Sequence, residues 1–106
     1  MRLGPLERRV LEALWARAGE ARVRDLRPSF PEIAYTTLMT TLDRLHRKGV
    51  LDRVADGRAF SYRPRITRAE AVMSFLVDEV GALDADTLEA LERLVRERRR
   101  ALEEQS

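Results

Sequence analysis

One change of hydrophobic period constrains this chain more than any other feature. Up to Gly49 the apolar residues recur at helical spacing. In "VLDRVADGRAFSYRP" the period drops to two, on either side of Asp56-Gly57, a dipeptide that favours a tight hairpin. Val50, Leu51 and Val54 lead in, Phe60 and Tyr62 alternate on the return, and Pro64 ends the strand. From Thr67 onward helical spacing returns.

The helices before the hairpin are three. "LERRVLEALWARAG" places Leu6, Val10, Ala13 and Leu14 on one stripe, widened by Leu11 and Trp15, with Gly19 suited to the stop. A short second helix lies around "VRDLR", with Val23 and Leu26 inward, and Pro28 and Pro31 make "PSFPE" a turn. The third helix is "YTTLMTTLDRLHRK", with Ala34, Leu38, Leu42 and Leu45 as its apolar stripe, Tyr35 at the edge and Gly49 as C-terminal cap. After the hairpin, Thr67 and Glu70 form a capping box for "RAEAVMSFLVDEV", Gly81 breaks that helix, and Asp84 caps a last one. The expected fold is mainly α with a small β-hairpin: a winged helix-turn-helix over residues 1–66 and a helical extension over 67–106.

Composition excludes several functions. Cysteine is absent and His46 is the only histidine, so thiol chemistry, disulfides and clustered His or Cys metal sites are ruled out within one chain. No carboxylate pair, activated nucleophile or phosphate-cradling glycine loop stands out, so we expect no enzyme and no cofactor. No apolar run approaches the length of a membrane span and "MRLGPLERRV" has no signal-peptide core, which predicts a cytoplasmic protein. Charge is uneven. Residues 1–66 carry 14 basic against 8 acidic side chains, and residues 67–106 carry 6 against 10. A basic front half suits a polyanionic partner.

The third helix spends four residues on threonine: Thr36, Thr37, Thr40 and Thr41. Each gives up about 0.6 kcal/mol of helix propensity relative to alanine. On a helical wheel Thr36, Thr37 and Thr40 share the face opposite Leu38 and Leu42 with Arg44 and Arg47, while Thr41 borders the apolar stripe and Asp43 is the one acid near that face. In a winged helix this helix is the candidate for the DNA major groove. Threonine is short enough to let the helix axis approach, its hydroxyl suits phosphates and base edges, and its methyl suits thymine. Arg58 lies beside the hairpin tip with Arg53 and Arg63 on the strands, placing a cationic wing beside the helix. A protein-interaction winged helix whose basic face meets an acidic partner is the alternative.

The last two helices carry more apolar positions than they can cover themselves: Phe75, Leu76, Val80, Leu88, Leu91, Val95 and Leu102. They either fold back on the winged helix or pair with a second copy, and we expect pairing, because a small repressor gains affinity from two half-sites.

"LGPLERRVLEALW", "AYTTLMTTLDRLHRKG" and "DGRAFSYRP" together resemble the penicillinase-repressor family, the BlaI/MecI/CopY type, in order over about residues 3–66. "LDADTLEALERLVRERR" resembles that family's final dimerisation helix. The resemblance implies a homodimeric repressor of a pseudo-palindromic double-stranded DNA operator. Its DNA contacts would come from Thr36, Thr37, Thr40, Arg44, Arg47 and Lys48, with Arg58 on the flanking backbone. The cysteine pairs of copper-sensing members are missing. In β-lactam-responsive members a membrane receptor-protease is a further partner. Here only Val80-Gly81-Ala82-Leu83 joins the last two helices, and no cleavage site is identifiable in it.

Overall fold

The computed structural model describes residues 2–17 and 19–106. Helix α1 spans Pro5–Trp15, α2 Val23–Leu26 with a 3-10 turn over Arg27–Ser29, and α3 Tyr35–Arg47. Strands β1 (Leu51–Asp56) and β2 (Ala59–Pro64) form an antiparallel hairpin, followed by α4 (Arg68–Gly81) and α5 (Ala85–Glu104). The chain forms two compact units, Met1–Val72 and Met73–Ser106, dividing inside α4.

The first unit is built on one core. Val10, Leu11 and Leu14 of α1 meet Leu38, Leu42 and Leu45 of α3, and Ala21, Val23, Leu26, Phe30, Val50, Leu51 and Tyr62 complete it. The hairpin joins this core through its root. Tyr62 exchanges two backbone hydrogen bonds with Ala21, at 3.0 and 2.8 Å, and buries its ring. Two residues nearer the tip on the same face, Phe60 is 43% exposed, because the wing has run past the edge of the core there. Trp15 sends its indole N–H to the Ile66 carbonyl at 3.0 Å, and Arg68 lies over its ring and reaches Glu12, which fixes the exit from the hairpin onto α1.

Helix α3 ends as a glycine in the left-handed region allows. Gly49 has φ +80°, its N–H bonds the His46 carbonyl, and the Val50 N–H returns to the Leu45 carbonyl. Both Val50 and Leu45 are buried, so the cap also seals the core.

The structure corrects four details of the sequence reading. Ala34 is not part of the α3 stripe but its exposed N-cap. Helix α1 stops at Trp15, four residues before Gly19. Thr41 is inside the core rather than beside it, 4% exposed, its hydroxyl satisfied by the Thr37 carbonyl at 2.7 Å. The hairpin turn is Gly57-Arg58, not Asp56-Gly57: Asp56 still pairs with Ala59 as strand. Gly57 has φ +66° and Arg58 a negative φ, the signature of a II′ turn with glycine first. Asp56 is held in the strand because Arg22 grips its carboxylate at 2.5 Å and Ser61 donates to it.

The Thr67–Glu70 box at the start of α4 and the Asp84 cap of α5 form as the sequence predicts, the latter at 2.8 Å to the Thr87 N–H. No side chain of α4 or α5 is buried. Among the described residues no helix is long and apolar enough to cross a membrane.

Candidate nucleic-acid interface

The helix start distinguishes α3 from the other α-helices. Each of their first turns carries an acid and a side-chain hydrogen bond: in α1 and α2 the N3 acid accepts from the N-cap N–H, and in α4 and α5 the N-cap oxygen accepts from the N3 N–H. Glu7 accepts from the Gly4 N–H at 2.9 Å, Asp25 from Arg22 at 2.9 Å, Thr67 from Glu70 at 3.0 Å, and Asp84 from Thr87 at 2.8 Å. Helix α3 begins on Ala34, which has no capping oxygen, and its first turn holds no acid. Its first intrahelical bond is Leu38 N–H to the Ala34 carbonyl, so the N–H groups of Tyr35, Thr36 and Thr37 point outward without a helical acceptor. An uncapped helix start presents partial positive charge and free donors, the arrangement that receives an anion.

The outward face then runs Thr36, Thr37, Thr40, Arg44 and Arg47, all exposed. The threonines differ chemically. Thr40 donates its hydroxyl proton to the Thr36 carbonyl at 2.9 Å, which leaves its lone pairs as acceptors. No intramolecular hydrogen bond holds the Thr36 or Thr37 hydroxyl among the described residues. A recess of about 370 Å³ separates this face from the first turn of α1, lined by Gly4, Pro5, Glu7, Thr36, Thr37 and Arg44 among others.

Lys48, the last of the sequence-predicted helix contacts, is turned inward. Its ammonium lies 2.8 Å from the Glu7 carboxylate and donates to the Arg2 carbonyl at 2.9 Å. Burial pushes the Glu7 carboxyl up, but the Lys48 hydrogen bond, the Gly4 N–H and the charges of Lys48 and Arg44 outweigh it and leave it below its ordinary value.

The wing is braced against the helix. Asp43 receives Arg47 at 3.0 Å from its own helix and Arg53 at 3.3 Å from β1, while Arg53 also stacks over Phe60 at 4.1 Å. Arg63 of β2 and Arg65 just past it turn to Asp52, at 3.8 and 3.1 Å, and Arg63 also to Glu20, so these arginines are largely committed. Arg58 at the tip and Arg44 on the helix are in no ion pair among the described residues. These two remain open to a phosphate. Sequence reading passed over Arg22, the pairing of Arg53 with Asp43 and the missing cap at Ala34; spacing alone carries no signal for any of them.

The expected pairing residues are accessible in the second unit. Phe75 is 45%, Val95 51% and Leu102 47% exposed, and Leu76, Val80, Leu88 and Leu91 are half-buried. Val77 and Leu94, absent from the sequence reading, are exposed further still, at 65% and 62%. Among the described residues no group of His, Cys, Asp or Glu is placed to hold a metal ion.

The solved structure of a MarR family protein from Bacillus stearothermophilus superposes with TM-score 0.55 at 18% identity, covering 96% of this chain and 76% of that one. The hsRosR-S4 complex structure superposes with TM-score 0.55 at 23% identity, covering 94% and 92%. Both likenesses concern the winged-helix fold. Curated relatives from two strains of Mycobacterium tuberculosis, CDC 1551 / Oshkosh and ATCC 25618 / H37Rv, are each described as transcriptional regulator BlaI. They are 40% identical over 80 residues, covering 73% of this chain. The chain spans 58% of the length of these relatives. The penicillinase-repressor family pattern matches residues 3–105. By that near-complete match this chain belongs to the penicillinase-repressor family, whose members are transcriptional repressors and not enzymes.

Proposed function

We propose that this protein binds a pseudo-palindromic DNA operator as a homodimer and represses the adjacent gene, acting in the cytoplasm. The observation that carries this is the start of α3, which has neither a first-turn acid nor a side-chain hydrogen bond where the other α-helices have both, and which leads into a face of threonine and arginine. A helix entering the major groove leads with its N-terminal half. The free N–H groups and the Thr36 and Thr37 hydroxyls meet phosphate oxygens, Thr40 offers its lone pairs to an exocyclic amine, and Arg44 and Arg47 reach further along the groove. Arg58 at the wing tip takes the flanking backbone, and Lys48 holds the helix from behind through Glu7. Phe75, Leu76, Val80, Leu88, Leu91, Val95 and Leu102 pair with a second copy, which sets two recognition helices on two half-sites. Relief by a receptor-protease forms no part of this reading. The α4–α5 connection is a hydrogen-bonded turn, Ala82 to Glu79 and Leu83 to Val80, rather than an extended stretch.

The test is a mobility-shift titration of the folded chain against its upstream palindromes and random duplexes at several salt concentrations. Preference for one palindrome supports the reading. Equal binding to all duplexes overturns specific repression, and no binding at low salt favours a protein partner for the same face.

A further inference from the structure

A groove of about 630 Å³ lies between α3 and the hairpin, a size suited to a small molecule. Its walls combine two features that a DNA backbone does not require together. Tyr35, Met39 and Phe60 line it with apolar surface, 43%, 46% and 43% exposed. Arg22, Arg24, Arg53 and Arg58 also line it. Two of these cations are already matched, Arg22 by Asp56 and Arg53 by Asp43. Arg24 and Arg58 are in no ion pair among the described residues. The Arg53–Asp43 pair ties the wing to α3 along this groove, and the Arg22–Asp56 pair ties the wing to the start of α2.

Phosphates and riboses would satisfy the two arginines, yet they offer no flat apolar face for Phe60, Met39 and Tyr35 to cover. A flat ring bearing one carboxylate satisfies both features. Its ring would lie on Met39 beside the Arg53–Phe60 stack, and its carboxylate would take charged hydrogen bonds from Arg24 and Arg58.

We propose that this groove binds a small aromatic carboxylate and that occupancy excludes DNA. Thr40 forms part of the groove wall and of the outward face of α3, so the two ligands compete for one surface. The exclusion rests on the DNA-binding reading above; the binding itself does not.

Naphthoate titrated into the isotope-labelled full chain, followed by amide NMR shifts, tests the site without DNA. The expected result is saturable shifts at Met39, Arg58 and Phe60, weakened in both Arg24→Ala and Met39→Ser, with naphthyl methanol and acetate inactive. A competition titration against the preferred duplex should then raise the apparent DNA Kd about tenfold at a probe concentration about ten times its own Kd. Shifts that are absent at millimolar probe, confined to α4 and α5, or unchanged in both variants overturn the site. Simultaneous, independent binding of naphthoate and duplex overturns the exclusion. Naphthoate binding in the groove by a chain that prefers no duplex supports the site while the DNA reading fails.

Discussion

The Lys48 ammonium lies 2.8 Å from the Glu7 carboxylate, tying the end of α3 to the first turn of α1 across 41 residues of sequence. Glu7 is 6% exposed and also accepts from the Gly4 N–H, so one carboxylate caps α1 and holds α3. Removing the ammonium leaves that buried charge without its counter-ion. Lys48 itself is one-third exposed, which places the pair between surface and buried limits. Lys48→Met should therefore cost about 1 to 3 kcal/mol of stability. Urea unfolding checks this, and an unchanged midpoint would show that the pair contributes nothing.

The same pair sets a pH dependence. The Glu7 carboxyl lies below its ordinary value of 4.5, so the folded state favours its charged form. Its contribution is full above pH 4.5 and is lost as pH falls through the lowered folded value. Asp56, Glu32 and Asp84 are lowered too, by the Arg22, Arg9 and Thr87 hydrogen bonds respectively, and lose their contributions on the acid side in the same sense. Glu7→Gln should therefore flatten part of the acid-side fall in stability and leave the neutral-to-alkaline side unchanged in shape. Urea midpoints measured across that range decide it; an acid slope equal to that of the parent would exclude Glu7 as a contributor.

Affinity and specificity should separate between wing and helix. Arg58 at the tip of a solvent-facing turn supports no packing, so Arg58→Ala should leave folding intact and reduce the salt slope of DNA binding by about 1. Thr40→Ala removes an acceptor facing the groove and should change which bases are preferred more than it changes the slope. Competition shifts over a panel of single-base operator variants measure both. Identical preference profiles for parent and Thr40→Ala would take Thr40 out of base reading.

Pairing through the second unit predicts a charge-sensitive assembly. Val95 is 51% exposed on α5, so an acid there costs the isolated chain little. Val95→Asp should shift the protein from dimer to monomer by light scattering while its helical circular dichroism persists. A parent chain that is already monomeric at high concentration would remove the two-half-site account.

The elements were legible because each has a local cause: apolar spacing for α1 and α3, a hydroxyl–carboxylate pair at Thr67 and Glu70, and a glycine where φ must be positive at Gly49 and Gly57. The outward placement of Thr36, Thr37, Thr40, Arg44 and Arg47 was legible for the same reason, since 3.6-residue periodicity alone assigns a face. What spacing does not encode is which charges find each other. Lys48 read as an available cation and is bound by Glu7, and Arg53 read as part of a cationic wing and is drawn to Asp43. Both partners are distant along the chain or on another element. The hairpin register slipped by one residue for a related reason, because Arg22, 34 positions earlier, holds Asp56 in the strand.

The start of α3 gives the sharpest prediction, because stability and binding should move in opposite directions. Ala34 occupies the N-cap with extended backbone, φ −65° and ψ 146°, a conformation that aspartate also adopts there. Ala34→Asp would supply the missing oxygen to the Thr36 or Thr37 N–H and a negative charge to the positive helix end. The folded state should gain about 0.5 to 2 kcal/mol. The same carboxylate would occupy the donors proposed for a phosphate and repel it, so DNA affinity should fall at low salt. Ala34→Asn caps with little charge and should stabilise similarly while weakening DNA less. Thermal unfolding and mobility shift on the three proteins separate the cases. If Ala34→Asp stabilised the fold and left DNA affinity at the parent value, the open helix start would have no part in binding.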